Sequence, residues 1–296
     1  MPLRVGVLMG GPSEEKEVSI ATGKAVIRAC AENGYIATEF VFRTNYKKYL
    51  KELKKQNIIF NALHGGIGEN GKIQEWLDEN DIKYTGSGAI ASSLCMDKAA
   101  SKKIAKRNGI ETPDWQLIQR LDQNVKITLP FVVKPNDQGS TVGLSIVKNH
   151  QLIKPAIDLA FQHGNKVIIE KFISGRELTI PIINEDAYPI VEINPKNNYY
   201  DYECKYTPGM SEYVCPADLE QNLVEKIEAN TMKLFQKFDC SVYARADYIL
   251  DKSGVPYFLE MNTLPGMTST SLVPKSAYSK GQNFQKLIKY IIELSL

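Results

Sequence analysis

Two short β-rich runs near the C-terminus hold the side chains best suited to chemistry. Ala244-Arg245-Ala246-Asp247-Tyr248-Ile249-Leu250 and Tyr257-Phe258-Leu259-Glu260-Met261-Asn262 flank the turn-forming Asp251-Lys252-Ser253-Gly254. The period-2 alternation of a strand puts Arg245 and Asp247 on one face of the first run and Glu260 and Asn262 on one face of the second. A hairpin turning between Lys252 and Ser253 predicts Arg245 opposite Glu260, with Asp247 diagonal to it. Asp247, Glu260 and Asn262 offer hard oxygen donors, which suit Mg²⁺ held partly through water and phosphate better than zinc. The same pattern also describes a solvated sheet face with weak ion pairs.

A second group of residues points to phosphate. Pro130-Phe131-Val132-Val133-Lys134-Pro135 leaves a lysine at the end of an apolar strand, and the small-residue loop Asn136-Asp137-Gln138-Gly139-Ser140-Thr141-Val142-Gly143 follows it. Backbone N–H groups of such a loop can cradle phosphate while the lysine supplies a point charge; a plain hairpin turn after an edge lysine has the same composition. Val167 to Ile173 reads as a strand that ends polar before Ser174-Gly175. Phe172 and Ile173 could sit against an adenine, with Lys171 near its ring nitrogen and Glu170 or Glu177 accepting from ribose hydroxyls.

These groups need a scaffold. Leu3 to Met9 reads as a buried strand, followed by Gly10-Gly11-Pro12-Ser13 and a helix whose Val18, Ala21, Ala25 and Ala29 share an apolar face. Glu14, Glu15 and Glu17 crowd its first turn, where the helix dipole favours negative charge; Glu15 alternatively meets a cationic substrate group. Strands near 35–42 and 57–64 alternate with helices near 45–56 and 71–80, predicting a parallel, Rossmann-like sheet. The glycines do not form the G-x-G-x-x-G of dinucleotide sites, and the acidic turn would repel a pyrophosphate. His64-Gly65-Gly66-Ile67-Gly68-Glu69-Asn70-Gly71 then lies at the carboxyl edge of the third strand, as a ligand loop or a flexible turn.

One helix is predicted over 89–108, with Met96-Asp97-Lys98 and Lys102-Lys103 inside it. Strands at 129–134, 142–147, 166–172, 176–183 and 187–193 follow without a βαβ rhythm, so the remainder reads as α+β with antiparallel sheets. Helices near 218–238 and 284–295 bracket the hairpin. The implied segments are 1–88, a Rossmann-like substrate domain; 89–175, a central subdomain; and 176–296, a C-terminal metal and substrate subdomain.

The chain has 296 residues, 43% of them hydrophobic and 24% charged, with net charge +2. That balance argues against nucleic acid as a partner. No apolar run is long enough to span a bilayer, and the N-terminus lacks a secretory signal. Cysteines at 30, 95, 204, 215 and 240 form no CxxC pair, which predicts a reduced, cytoplasmic protein. His64, His150 and His163 are too far apart to suggest a histidine-built metal site.

Taken in order, Gly10 to Ser19, His64 to Gly71, Met96-Asp97-Lys98, Lys134 to Gly143, Tyr200-Asp201-Tyr202-Glu203-Cys204-Lys205-Tyr206, Ala244 to Asp247 and Glu260 to Leu272 resemble the ATP-grasp superfamily. Within it the chain is similar to the D-alanine–D-alanine ligase family. Asn70 departs from the family's usual Asp, with an expected effect on the loop more than on chemistry.

The resemblance implies a two-part ATP-grasp fold behind the first domain, and ATP-dependent joining of two D-alanine molecules through an acyl phosphate for peptidoglycan precursors. It implies two Mg²⁺ ions on Asp247, Glu260 and Asn262, with Mn²⁺ able to substitute. Lys98, Lys134 and Lys205 would neutralise ATP phosphates, and Glu170, Lys171, Ile173 and Glu177 would hold the nucleoside. Arg245 and the Gly266 N–H would stabilise an oxyanion. Glu15 would bind the first ammonium, His64 would lie near the first carboxylate, and Ser271 with Leu272 would bind the second. The tyrosine-rich segment 199–213 would act as a lid, with Tyr206, Ser140 and Glu15 linked by hydrogen bonds. Lys205-Tyr206 matches the pattern for an amide product. The resemblance also implies a homodimer through the first domain. Another ATP-grasp carboxylate–amine ligase, or a nucleotide-binding regulator without catalysis, are the alternatives.

Overall fold

After the exposed Arg4, every residue of β1 (Arg4–Gly10) from Val5 to Gly10 is buried, as a central parallel strand covered on both faces must be. In this computed structural model, which describes residues 2–196, 204, 207, 209–268 and 271–296, β1 lies between β2 (Ile36–Phe42) and β3 (Ile58–Asn61) in an all-parallel sheet. The connecting helices are α1 (Lys16–Glu32), the short α2 (Leu50–Leu53) and α3 (Lys72–Asp78). The helix expected over 45–56 shrinks to a 3₁₀ turn at Lys47–Tyr49 and the four residues of α2.

The single helix expected over 89–108 is two helices, α4 (Ala89–Met96) and α5 (Lys98–Arg107). Asp97 breaks the run: its backbone is extended, with ψ 96°, and its carboxylate accepts from Ala100 N at 2.9 Å. It therefore ends one helix and caps the next.

A four-stranded antiparallel sheet follows, β4 (Trp115–Ile118), β5 (Phe131–Pro135), β6 (Ser145–Val147) and β7 (Val167–Lys171), in the order β4-β7-β5-β6. Sequence reading did not foresee α6 (Ile153–His163), which buries Ala156, Ile157 and Ala160 against it. The third sheet holds β8 (Gly175–Ile183), β9 (Asp186–Ala187), β10 (Val191–Pro195), β11 (Ser211–Val214), β12 (Tyr243–Asp251) and β13 (Pro256–Asn262). Its order is β11-β10-β8-β12-β13, with β9 on β8 and antiparallel pairing throughout. The strand expected over 187–193 is thus divided between β9 and β10.

The third sheet packs on α7 (Gln221–Lys237), around Leu178, Ile180, Tyr248 and Phe258. After β13 the chain returns to the first sheet. Leu272–Ser279 forms α8, and α9 (Phe284–Leu294) sets Leu287, Ile288, Ile291 and Ile292 against α1. Burying each of these side chains is worth about 2 kcal/mol relative to exposure. Among the described residues no helix is long and apolar enough to cross a membrane, and the five cysteines are free thiols.

Candidate active site

The β12–β13 hairpin supplies the centre of the site. Burial along β12 alternates, with Ala246, Tyr248 and Leu250 inside and Arg245, Asp247 and Ile249 half-buried on the other face. The register differs from the expected one. Asp247 pairs with Glu260 and Arg245 with Asn262, not Arg245 with Glu260. The turn is displaced by one residue, since Leu250 pairs with Pro256, and a bulge between Asp247 and Tyr248 adds another. Two single shifts make an even number, so the polar face is preserved while every partner changes.

Arg245 forks onto Asp247, with Nε 2.9 Å from Oδ1 and Nη2 2.8 Å from Oδ2. Thr179 on β8, fully buried, donates to the same Oδ1 at 2.5 Å. Glu260 Oε2 lies 3.2 Å from Lys98 Nζ. The break at Asp97 places Lys98 at the start of α5, where its backbone N donates to Asn136 O at 3.1 Å and its Nζ to Gln138 O at 2.6 Å. One side of the small-residue loop is thereby tied to the hairpin.

Two connected chambers meet at Lys98, Ser140, Arg245, Glu260 and Leu272. The larger, about 500 Å³, is bounded by Glu15, His64, Gly266 and Ser271. Glu15 precedes α1, is buried, and accepts from Ser140 Oγ. His64 is buried, with Nε2 3.0 Å from Thr22 Oγ1 and Nδ1 3.7 Å from Glu69 Oε1. A side chain on Gly266 would bring its Cβ to 2.9 Å from Ser271 Oγ, so only glycine leaves that wall open. Ser271 stands at the residue before α8, its Oγ accepting from Thr268 N at 3.0 Å, and Leu272 is buried behind it.

The smaller chamber, about 170 Å³, has Val132, Ile146, Phe172, Ile173, Ile249 and Leu259 as apolar walls, with Lys134, Glu170, Lys171 and Glu177 among its polar ones. Glu170 is buried between two lysines, Oε1 3.3 Å from Lys102 Nζ and Oε2 3.1 Å from Lys134 Nζ. Burial by itself would raise its pKa, but the charges of Lys102 and Lys134 outweigh it and hold the carboxyl below the ordinary value. Each Glu170 oxygen faces a lysine, Oε1 as an ion pair without a hydrogen bond, and Glu177 is half-buried at the chamber wall.

Among the described residues no group of three or more His, Cys, Asp or Glu is placed to hold a metal. Asp247, Glu260 and Asn262 supply two carboxylates and an amide, a donor set suited to a hard cation that completes its shell with ligand phosphates. Asn262 Oδ1 also accepts from Leu264 N at 2.8 Å. In chemistry the residues fit magnesium. Asp247 Oδ1 accepts from both Arg245 and Thr179, so a cation would bind at Oδ2 beside the Arg245 contact.

The description "D-ala D-ala ligase C-terminus" matches residues 102–293. D-alanine–D-alanine ligase B of Clostridium perfringens is 41% identical over 299 residues, covering 99% of this chain and 98% of the relative. The chain belongs to the D-alanine–D-alanine ligase family. The D-alanine–D-alanine ligase of Aquifex aeolicus is 43% identical over 294 residues, covering 98% of this chain and 100% of that one. The crystal structure of D-alanine–D-alanine ligase from Bacillus anthracis complexed with ATP superposes with a TM-score of 0.87 at 38% identity, covering 100% of this chain and 97% of that one.

In this member of the D-alanine–D-alanine ligase family, every site residue expected from sequence that is described borders one of the two chambers or belongs to the hairpin centre. Lys205 and Tyr206 lie outside the described residues. Asn70 Oδ1 accepts from Lys72 N at 3.2 Å in the turn entering α3, a bond that an aspartate oxygen would also accept. Sequence reading missed Thr179, whose signal was a hydroxyl within the apolar run Leu178 to Ile183. It also passed over Lys102, whose position on the buried side of α5 with Lys98, Ser101 and Ala105 marked it as more than surface charge.

Proposed function

We propose that this chain joins two D-alanines into D-alanyl-D-alanine with ATP, as a cytoplasmic step toward peptidoglycan precursors. The observation that carries the reading is the meeting of the two chambers at Lys98 and Glu260, directly across from Asp247. A nucleotide in the smaller chamber would direct its phosphates toward a substrate in the larger one.

In this reading the adenine lies between Ile249, Leu259 and Phe172, with Lys171 and Ile173 at its edge and Glu177 toward the ribose. Glu170 acts through the lysine that it holds. Lys98, Lys134 and Lys205 neutralise phosphate charge. Asp247, Glu260 and Asn262 would hold Mg²⁺, two ions by family pattern with Mn²⁺ able to substitute, and the metal would supply charge neutralisation on the terminal phosphates.

A carboxylate oxygen of the first D-alanine, its ammonium on Glu15 and its carboxylate near His64, attacks the γ-phosphorus. The bond from that phosphorus to the bridging oxygen of ADP breaks. The amine of the second D-alanine, held by Ser271 and Leu272, then attacks the acyl carbon and loses a proton. Arg245 and the Gly266 N–H stabilise the oxyanion until the carbon–oxygen bond to phosphate breaks and the amide forms. Ser140 links Glu15 to the nucleotide side, and Tyr206 is assigned to the same link. The segments 1–88, 89–175 and 176–296 are proposed as the domains around this cleft, with α8 and α9 of the last packed on the first, and two copies are proposed to pair through the first.

Incubation with ATP, Mg²⁺ and D-alanine should yield ADP, phosphate and D-alanyl-D-alanine in equal amounts. ADP release without dipeptide would instead indicate a different carboxylate–amine ligase.

A further inference from the structure

Lys102 takes no part in the chemistry above, yet it is completely buried. Its Nζ donates to Thr112 Oγ1 at 2.8 Å, lies 3.4 Å from Phe258 O on β13, and faces Glu170 Oε1 at 3.3 Å. Thr112 Oγ1 donates to the same Phe258 carbonyl at 2.8 Å. Glu170 reaches on to Lys134 on β5, whose side chain borders the smaller chamber. One carboxylate therefore serves two ammonium groups, and the buried cluster carries a net charge of +1.

Such a cluster is expensive as mere filling. Removing an ammonium from water costs several kcal/mol, and a methionine of similar volume would occupy the site without that penalty. Burial, with the neighbouring Lys134 charge adding to it, outweighs the pull of Glu170 and brings the Lys102 ammonium down to about 8. It therefore keeps its proton at neutral pH.

The surplus charge has an outlet on one side only. Lys102 is enclosed by α5, Thr112 and β13, whereas Lys134 faces the chamber. We propose that Lys102 is a positioning residue for the nucleotide: by sharing Glu170 with Lys134 it leaves the three groups with one net positive charge, and so keeps Lys134 available to an incoming polyphosphate. The proposal rests on the reading of Lys134 as a phosphate ligand. Through Phe258 the same contact holds β5 and β7 in place against β13, so that the lysine and the acidic hairpin face one space.

The test measures ATP affinity by titration calorimetry without D-alanine, and the KM values for ATP and D-alanine in the dipeptide assay. The proteins are wild type, K102M, K102R, K102M/E170Q and K134M, each checked for folding by urea denaturation. K102M should weaken ATP binding by about tenfold or more and raise the ATP KM in parallel, with the D-alanine KM unchanged. K102R should stay near wild type. The double variant should recover most of the loss, because Lys134 then faces a neutral amide.

An unchanged ATP affinity in folded K102M, or a double variant no better than the single one, overturns the proposal. If K102M does not fold, the double variant decides. ATP affinity near that of wild type supports the role, and affinity as poor as that of K134M overturns it. An unaffected K134M would show that the phosphate reading of Lys134 had failed, whatever K102M does.

Discussion

Asp247 stands directly across the β12–β13 hairpin from Glu260, yet both of its oxygens face Arg245, two residues earlier on its own strand. Glu260 in turn is met by Lys98. The two carboxylates are thus balanced by two basic side chains at the place assigned to magnesium. A divalent cation on Asp247 Oδ2 would share that oxygen with Arg245 and draw charge away from the fork, which would weaken the arginine's hold on Asp247 and favour its contact with a developing oxyanion.

Glu260→Gln tests that arrangement. The change removes one negative donor while keeping size and an amide oxygen for Lys98, so stability should fall by only about 1 kcal/mol. Turnover should fall by about two orders of magnitude or more, with the magnesium requirement moved to higher concentration. Urea denaturation and a magnesium titration of dipeptide formation measure the two effects. A folded variant with normal turnover at the same magnesium concentration would remove Glu260 from the metal site.

Ser140→Ala addresses the link between the chambers. Ser140 donates to Glu15, and both Ser140 and Thr141 hold left-handed backbones, with φ 50° and 61°. Side chains other than glycine adopt that region at some cost. Losing a hydrogen bond to a buried carboxylate is worth about 1.5–3 kcal/mol, so the specificity constant for D-alanine should drop roughly tenfold to a hundredfold. The KM for ATP should move much less. Equal losses for both substrates would indicate that the loop as a whole, not the Glu15 contact, had been disturbed.

The pair of Lys102 and Glu170 gives stability a pH dependence whose sign can be stated. Lys102 sits at about 8 when folded, against an ordinary value of 10.5, so between those values the unfolded chain binds more protons and stability rises with pH. Each pH unit inside the window is worth at most about 1.4 kcal/mol. Glu170 is also depressed, from 4.5, so its contribution is present above that value and is lost as pH falls through the folded one. The urea stability of wild type relative to K102M should therefore grow between pH 8 and 10, and relative to E170Q should shrink in acid below pH 4.5. Differences flat across both ranges would contradict the assignment.

Much of this was legible in the residues because local periodicity survives folding. Strand alternation put Arg245, Asp247, Glu260 and Asn262 on one face, and the glycine-rich loop after β3 fell where a parallel sheet leaves a cleft. Pairing register was not legible, since a bulge is set by the neighbouring strand and by packing. Asp97 was read as part of a helix because an N-cap in mid-run looks like any polar residue. In 153–163 Ile153, Ala156, Ile157 and Ala160 have the apolar spacing of a helix, and Pro155 falls in its first turn, where proline is accepted. Lys102 was masked by its neighbour Lys103. Only the helical phase separates the two, turning Lys102 inward and leaving Lys103 exposed.

The bulge in the hairpin has a consequence for the nucleotide side of the cleft. Tyr248 pairs with Phe258 and Asp247 with Glu260, which leaves Leu259 without an opposite number. Leu259 and Glu260, adjacent in sequence, both border the smaller chamber, so in the proposed nucleotide pose a hydrophobe for the base and an acid for the phosphate end would come from consecutive residues. Excising Leu259 would leave the pairs on either side aligned and remove an apolar wall of the smaller chamber, so in the proposed pose grip on the base could be tuned separately from grip on the metal.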